Sequence, residues 1–249
     1  MNKESKATKA RKSKSVDISS IVVAPEVEKK TPLEKYSRER VKDYSHSFNW
    51  HLTDVVNENW AYMNGLFTKD ECDKIIEIGK AGRESSPLAY GVTGDVTSED
   101  DDFDKYAKVR VSPVSWLRSD VNENRWIWEK ITGAVININN QFFNYDLTEI
   151  QSLQFTAYDS EEKGFYGKHI DMMYKSNGTR KLSLSVQLSE PEDYEGGSLL
   201  LYNGEEPMTL PNTRGTGLFF PSYSLHEVTP VTKGIRYSLV AWFLGPRFK

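Results

Sequence analysis

Cysteine is nearly absent from this sequence: Cys72 is the only one in 249 residues. No internal disulfide can form, so a small secreted scaffold stapled by disulfides is excluded. The composition suits a reducing, cytoplasmic setting, and a bacterial or phage gene would carry it equally well. Long apolar runs are missing too. No stretch approaches the roughly 18 apolar residues that mark a membrane helix, and the first residues lack the apolar core of a secretory signal. Strong net charge is also lacking: 32 basic side chains against 36 acidic ones leave −4. Nothing in that balance pulls the whole chain toward nucleic acid. Histidine is scarce, with only His46, His51, His169 and His226, so the position of each one carries information. No internal repeat is visible.

What is present divides the chain. Residues 1–14 hold Lys3, Lys6, Lys9, Arg11, Lys12 and Lys14 against Glu4. Residues 1–45 carry few large apolar groups and cannot bury enough surface to offset the entropy of ordering. They are expected to form a disordered basic arm, able to contact an anionic partner. Residues 46–249 then form one domain, with apolar content (38% of the chain) sufficient for a core. A second charged stretch, acidic this time, holds Asp95, Glu99, Asp100, Asp101, Asp102 and Asp104. Residues 85–110 around it read as a long loop.

Periodicity places the elements. Thr68-Lys69-Asp70-Glu71 has the form of a capping box. Cys72, Ile75, Ile76 and Gly79 follow at helical spacing, so a helix is predicted over 69–82. Ile127, Ile131, Val135, Ile138 and Phe142 mark a second helix with one core-facing stripe. The helical part thus spans 60–145. After Asn144 the period becomes two. Leu182, Leu184, Val186 and Leu188 alternate with Lys181, Ser183, Ser185 and Gln187, as in a strand with unlike faces. Ser152–Tyr158, Ser198–Tyr202, Leu218–Phe220 and Tyr237–Phe243 also read as strands, separated by Glu195-Gly196-Gly197, Asn203-Gly204 and Thr213-Arg214-Gly215. Helices first and short strands after predict an α+β domain. Its second half is an antiparallel sandwich or barrel with helices packed on one sheet.

Two of the histidines lie in the β-rich half. His169-Ile170-Asp171 is a His-x-Asp at the end of a strand-like run, and residues i and i+2 of extended chain point to one side. His226 is the only other histidine in that half, which makes it the candidate third ligand. Two imidazoles and one carboxylate on one face of an octahedron leave three positions open. That pattern belongs to iron(II) oxygenases rather than to closed structural sites. Arg236 lies inside the apolar run Arg236-Tyr237-Ser238-Leu239-Val240-Ala241-Trp242-Phe243, where a guanidinium needs a partner. Its fork suits a carboxylate, and parity puts Ser238 and Trp242 on the same face.

These motifs carry a resemblance. Tyr166-Gly167-Lys168-His169-Ile170-Asp171, Glu195-Gly196-Gly197-Ser198-Leu199, Pro221-Ser222-Tyr223-Ser224-Leu225-His226-Glu227-Val228 and Gly234-Ile235-Arg236-Tyr237-Ser238 resemble, in order and spacing, the prolyl-4-hydroxylase-like 2-oxoglutarate/Fe(II) dioxygenases. Leu188 to Gly197 looks most like the PKHD-type hydroxylase branch. The resemblance covers roughly 150–247 and implies a double-stranded β-helix core of the jelly-roll or cupin kind. It implies Fe(II) held by His169, Asp171 and His226, with 2-oxoglutarate and O₂ as cosubstrates and ascorbate as an optional accessory. Arg236 would meet the distal carboxylate of 2-oxoglutarate. Tyr158, Tyr166, Gln187, Ser238 and Trp242 would surround it, and which tyrosine bonds it is left open. Gln187 stands where some relatives have a tyrosine that contacts 2-oxoglutarate. The implied activity is hydroxylation of a prolyl residue in a peptide or protein, releasing succinate and CO₂. The alternatives are oxidation of a nucleobase or small molecule, for which no dense basic cluster is visible, and a non-catalytic β-helix scaffold tethered by the basic arm.

Overall fold

A computed structural model describes residues 21–22, 58–85, 109–175 and 178–247. The basic segment 1–14, His46, His51 and the acidic stretch 95–104 lie outside the described residues. In chain order the strands are β1 (Ile21–Val22), β2 (Ala61–Met63), β3 (Arg110–Val111), β4 (Val114–Trp116), β5 (Glu149–Asp159), β6 (Phe165–His169) and β7 (Tyr174–Lys175). They continue with β8 (Gly178–Gln187), β9 (Tyr194–Gly196), β10 (Leu199–Tyr202), β11 (Met208–Thr209), β12 (Gly217–Pro221), β13 (Leu225–Val228) and β14 (Val231–Gly245). Helix α1 (Lys69–Ser85) precedes β3, and α2 (Arg125–Ile138) precedes β5.

The capping box forms as the sequence predicts. The Thr68 amide donates to Glu71 Oε2 at 2.7 Å, and the Glu71 amide donates to Thr68 Oγ1 at 3.3 Å. Two of the orphan donors at the start of α1 are thereby satisfied. Helix α2 buries Ile127, Ile131, Ala134, Val135 and Ile138. It widens into a π-turn over Asn139–Phe143 and stops at Asn144, whose φ is 51°. Asparagine tolerates that left-handed conformation better than most residues.

Two antiparallel sheets face each other. The larger follows the order β1-β2-β12-β8-β14-β5-β4, with β7 on β8 and β9 on β14; the smaller runs β11-β10-β13-β6-β3. Ile21–Val22 pair with β2 at the edge, so two residues of the basic arm join the sheet. Period two on β8 separates two cores. Leu182, Leu184, Val186 and Leu188 pack with Ile75, Ile127, Ile131 and Ile138 beneath both helices. Each such aliphatic group contributes about 1.5–3 kcal/mol on leaving water, which fixes the helices to this face. Helix α1 comes so close to the sheet that a Cβ on Gly79 would stand 2.2 Å from the Phe155 ring. The opposite face of β8 carries Ser183, Ser185 and Gln187, all buried toward the smaller sheet. A second, smaller core of Tyr158, Leu199, Leu201, Leu218, Phe220 and Val228 fills the rest of that gap. The antiparallel sandwich with helices on one sheet matches the predicted α+β class. The strands extend further than alternation alone suggested, most of all β14.

Candidate metal centre and cosubstrate pocket

Strands β6 and β13 are neighbours in the smaller sheet, and their register sets His169 directly opposite His226. The two ring centroids are 4.1 Å apart. The chain leaves β6 at His169, and the Met172 amide donates to the Ser222 carbonyl at 2.8 Å, which holds Asp171 between the rings. Asp171 Oδ1 lies 3.7 Å from His169 Nε2, and Oδ2 lies 3.6 Å from His226 Nε2. One ligand atom from each of the three residues falls within 4.8 Å of the others. Residues 57 positions apart in the chain thus meet because the sheet pairs them.

Both imidazoles are oriented from behind. His169 Nδ1–H donates to the Gly167 carbonyl at 2.8 Å, and His226 Nδ1–H donates to the Ser224 carbonyl at 2.9 Å. Each bond reaches back two residues and leaves the Nε2 lone pair facing Asp171, the tautomer a metal ligand requires. Burial is the main cause that holds His169 down to about 4, with the nearby His226 adding to it and Asp171 opposing. It is therefore neutral near pH 7. Burial pushes the Asp171 carboxyl up, but His226, His169 and the Ser183 hydroxyl outweigh this and hold it below its usual range. Ser183 Oγ donates to Asp171 Oδ2 at 2.7 Å. A carboxylate only 6% exposed, set between two imidazoles in the sheet interior, has little to balance its charge. A divalent cation bound through two nitrogens and one oxygen fits this donor set, and no thiolate competes, since Cys72 lies in the helix-side core.

Around this centre the structure groups the other sequence-predicted residues at two ends of the inter-sheet space. Tyr166 stacks on His169, centroids 3.5 Å apart, with the Arg110 guanidinium 4.5 Å from its other face. Burial pushes its hydroxyl up to about 12, so it remains a donor. Tyr158 lies deeper, as the cross-strand partner of Arg236, whose guanidinium is 5.3 Å from its ring. Arg236 is 1% exposed. Its Nη2 donates to Gln187 Oε1 at 2.9 Å, while Nε and Nη1 are buried with no hydrogen-bond partner among the described residues. A cavity of about 120 Å³ adjoins it, lined in part by Gln187, Gly197, Ser198 and Leu199. Gly197 has φ 60°, and a Cβ there would approach Arg236 Cδ to 3.0 Å. The Gly196-Gly197 pair therefore supplies a left-handed turn and also leaves room for the arginine. Ser238 is buried on the same face, paired across to Gln187. Trp242 lies toward the metal end instead, because its cross-strand partner is Ser183.

Sequence reading missed three participants. Arg180 packs 4.0 Å from the Trp242 ring centroid, and its Nε donates to Gln151 at 2.7 Å. Arg110 donates to Gln154 at 2.9 Å across the same inner wall. Ser222 joins Ser183 behind Asp171 at 2.9 Å. Parity along β8 points to Lys181 rather than Arg180, but the register between β8 and β14 shifts at this point and turns Arg180 inward. Arg110 follows the acidic stretch of the sequence and has no periodic signal.

Residues 153–244 match the family model of the 2OG-Fe(II) oxygenase superfamily. The match spans β5 to β14 and includes the whole His169–Asp171–His226 cluster and Arg236. The chain is also similar to a PKHD-type hydroxylase of Synechococcus sp. (strain CC9605), 42% identical over 78 residues, covering 31% of this chain and 35% of that protein. A PKHD-type hydroxylase of Prochlorococcus marinus (strain MIT 9313) is 40% identical over 77 residues, again covering 31% and 35%. The matches thus span about a third of the length of these curated relatives. Among solved structures, a Pseudomonas putida prolyl-4-hydroxylase aligns with TM-score 0.56 at 17% identity, over 84% of this chain and 99% of that one. A Trichoplax adhaerens prolyl hydroxylase in complex with a hypoxia-inducible-factor peptide fragment aligns with TM-score 0.61 at 17% identity, over 87% and 94%. At that identity the likeness speaks for the fold, which is the double-stranded β-helix. The oxygenase family implies Fe(II), 2-oxoglutarate and O₂, and the donor set at His169, Asp171 and His226 fits the metal.

Proposed function

We infer that this chain is an iron(II)- and 2-oxoglutarate-dependent hydroxylase acting on a prolyl residue of a peptide or protein. The observation that carries the reading is a pairing of two features inside one sandwich. A two-histidine, one-carboxylate cluster with its imidazole lone pairs turned inward shares the sandwich with a buried arginine that has two unpaired donors. The first suits a metal with open positions, and the second suits the far end of a dicarboxylate. The metal would supply the coupling of 2-oxoglutarate decarboxylation to C–H hydroxylation: substrate, O₂ and 2-oxoglutarate give hydroxylated substrate, succinate and CO₂.

The chain's own part is placement. His169, Asp171 and His226 would hold the ion, oriented by the Gly167, Ser224 and Ser183 contacts. Arg236 would anchor the cosubstrate, with Tyr158, Gln187 and Ser238 beside it, and the apolar side chains of Leu199, Leu201 and Val228 would exclude water. Tyr166 would brace His169 by stacking. Trp242 and the half-exposed Trp116, with ring centroids 6.4 Å apart, would offer an aromatic surface to a substrate with an apolar ring. The names of the PKHD-type relatives and the peptide held by the Trichoplax enzyme support a peptide or protein substrate.

The test is succinate formation from 2-oxoglutarate with Fe(II), together with a mass gain of one oxygen atom across a proline-containing peptide library. Asp171→Ala should abolish both. Arg236→Ala should raise the apparent KM for 2-oxoglutarate by about 10- to 100-fold while iron binding survives, as expected for loss of a charge-assisted contact. Oxygen uptake by nucleosides and none by peptides would support the nucleobase alternative. Failure of the intact chain to consume 2-oxoglutarate at all would support the non-catalytic one.

A further inference from the structure

We propose that Lys168, Tyr202 and Glu227, on the outer face of the smaller sheet, are positioning residues that fix the spacing of His169 and His226 from behind. This rests on the metal-centre reading above. Strands β6 and β13 are five and four residues long, and they pair at His226 with His169 and at Val228 with Tyr166. Between those two pairs β6 carries one residue more than β13, a bulge at Gly167-Lys168 opposite Glu227. The bulge belongs to the support of the metal centre, because the Gly167 carbonyl accepts from His169 Nδ1 at 2.8 Å. A backbone ladder is interrupted at a bulge, so side chains must share in holding the two strands there.

Three side chains cross that interruption on the solvent face. Alternation buries His226 and Leu201 and turns their neighbours Glu227 and Tyr202 outward. The Tyr202 hydroxyl donates to Glu227 Oε1, which ties β10 to β13. The Lys168 ammonium lies 4.4 Å from the centre of the Tyr202 ring, so the bulged residue of β6 reaches over β13 to β10. Each member adjoins the histidine pair through the backbone. Lys168 precedes His169, Glu227 follows His226, and Tyr202 follows Leu201, the cross-strand partner of His226. Lys168 is exposed, and Tyr202 and Glu227 are half-buried. Contacts of that kind add little to global stability. Their effect is local: they decide where the bulge sits, and with it the Gly167 carbonyl and the His169 ring.

The experiment records visible absorption of the anaerobic Co(II)-loaded chain, whose bands report the geometry of the ligands. Co(II) affinity is measured by competition with a chelating dye, and urea unfolding of the metal-free chain is followed in parallel. Tyr202→Phe removes the hydroxyl and keeps the ring beside Lys168. Glu227→Leu removes the acceptor, and Glu227→Gln retains an acceptor without the charge. Tyr202→Phe and Glu227→Leu should each shift the bands and weaken Co(II) binding by about 3- to 10-fold, less than the roughly 10- to 100-fold typical of groups bonded directly to a ligand. Glu227→Gln should stay close to wild type, and the unfolding midpoint of the metal-free chain should not move. Unchanged bands and affinity in both Tyr202→Phe and Glu227→Leu would overturn the proposal. Weaker binding with unshifted bands and a destabilised metal-free chain would also overturn it, since it would mark a structural contact only. A wild-type chain that binds no Co(II) would bring down the metal-centre reading and this inference with it. Normal wild-type binding with indifferent variants would bring down this inference alone.

Discussion

Asp171 is the residue on which the metal centre turns, because its charge is buried and, among the described residues, its one hydrogen-bonded side-chain partner is the Ser183 hydroxyl. Groups that orient a ligand from behind typically govern metal affinity by about 10- to 100-fold. Ser183→Ala should therefore weaken Fe(II) or Mn(II) binding by about 10-fold, measured by competition with a chelating dye. Unchanged affinity would show that Asp171 is held by the backbone alone. Cys72 gives a second prediction at this scale. Burial pushes its thiol up to about 11, and its side chain is fully enclosed. A disulfide exchange reagent at pH 8 should leave the native chain unlabelled and label one thiol on unfolding. Rapid labelling of the native chain would contradict this burial. The three metal-binding candidates and Arg236 were legible in the sequence, because rare residues in ordered motifs stand out. Arg180 was not, since a one-residue register shift on β8 is invisible to a period-two reading.

At the scale of the element, α1 owes its position to its N-terminal cap and one glycine. Thr68→Ala removes one cap bond, and such losses cost about 1 kcal/mol, measurable by urea unfolding. Gly79→Ala should destabilise by roughly 1–3 kcal/mol although alanine is the better helix former, because the new methyl meets the Phe155 ring. A stabilised Gly79→Ala variant would mean that helix and sheet separate freely. Burial raises the Glu71 carboxyl, but Lys130 and Thr68 outweigh this and hold it below its ordinary value of 4.5. A depressed acid contributes stability above its unfolded pKa and loses it as pH falls through the folded one. The stability gap between wild type and Glu71→Gln should therefore shrink as the solution is acidified below 4.5. Both helices and the long strands were readable because their periods are sustained over many residues. The two- and three-residue strands β3 and β4, which bring in Arg110 and Trp116, are too short to show a period at all.

For the whole molecule, alternation on a few strands divides the interior into an oily layer under the helices and a mixed layer between the sheets. The polar side chains of β8 belong to the second layer, and they hold the metal ligand at one end and the arginine at the other. Sheet order could not be derived from spacing alone, because the pairing of β6 with β13 joins segments 57 residues apart at their histidines. The family resemblance supplied that topology, and the register of His169 with His226 agrees with it. The most direct measurement is an anaerobic titration of the purified chain with Fe(II) and then 2-oxoglutarate, followed by visible absorption. One iron should bind per chain, and a weak charge-transfer band should appear only when 2-oxoglutarate is added. The band should be lost in His226→Ala. A chain that binds no iron, or a band that persists undiminished in His226→Ala, would contradict the assignment of these three residues to one metal ion.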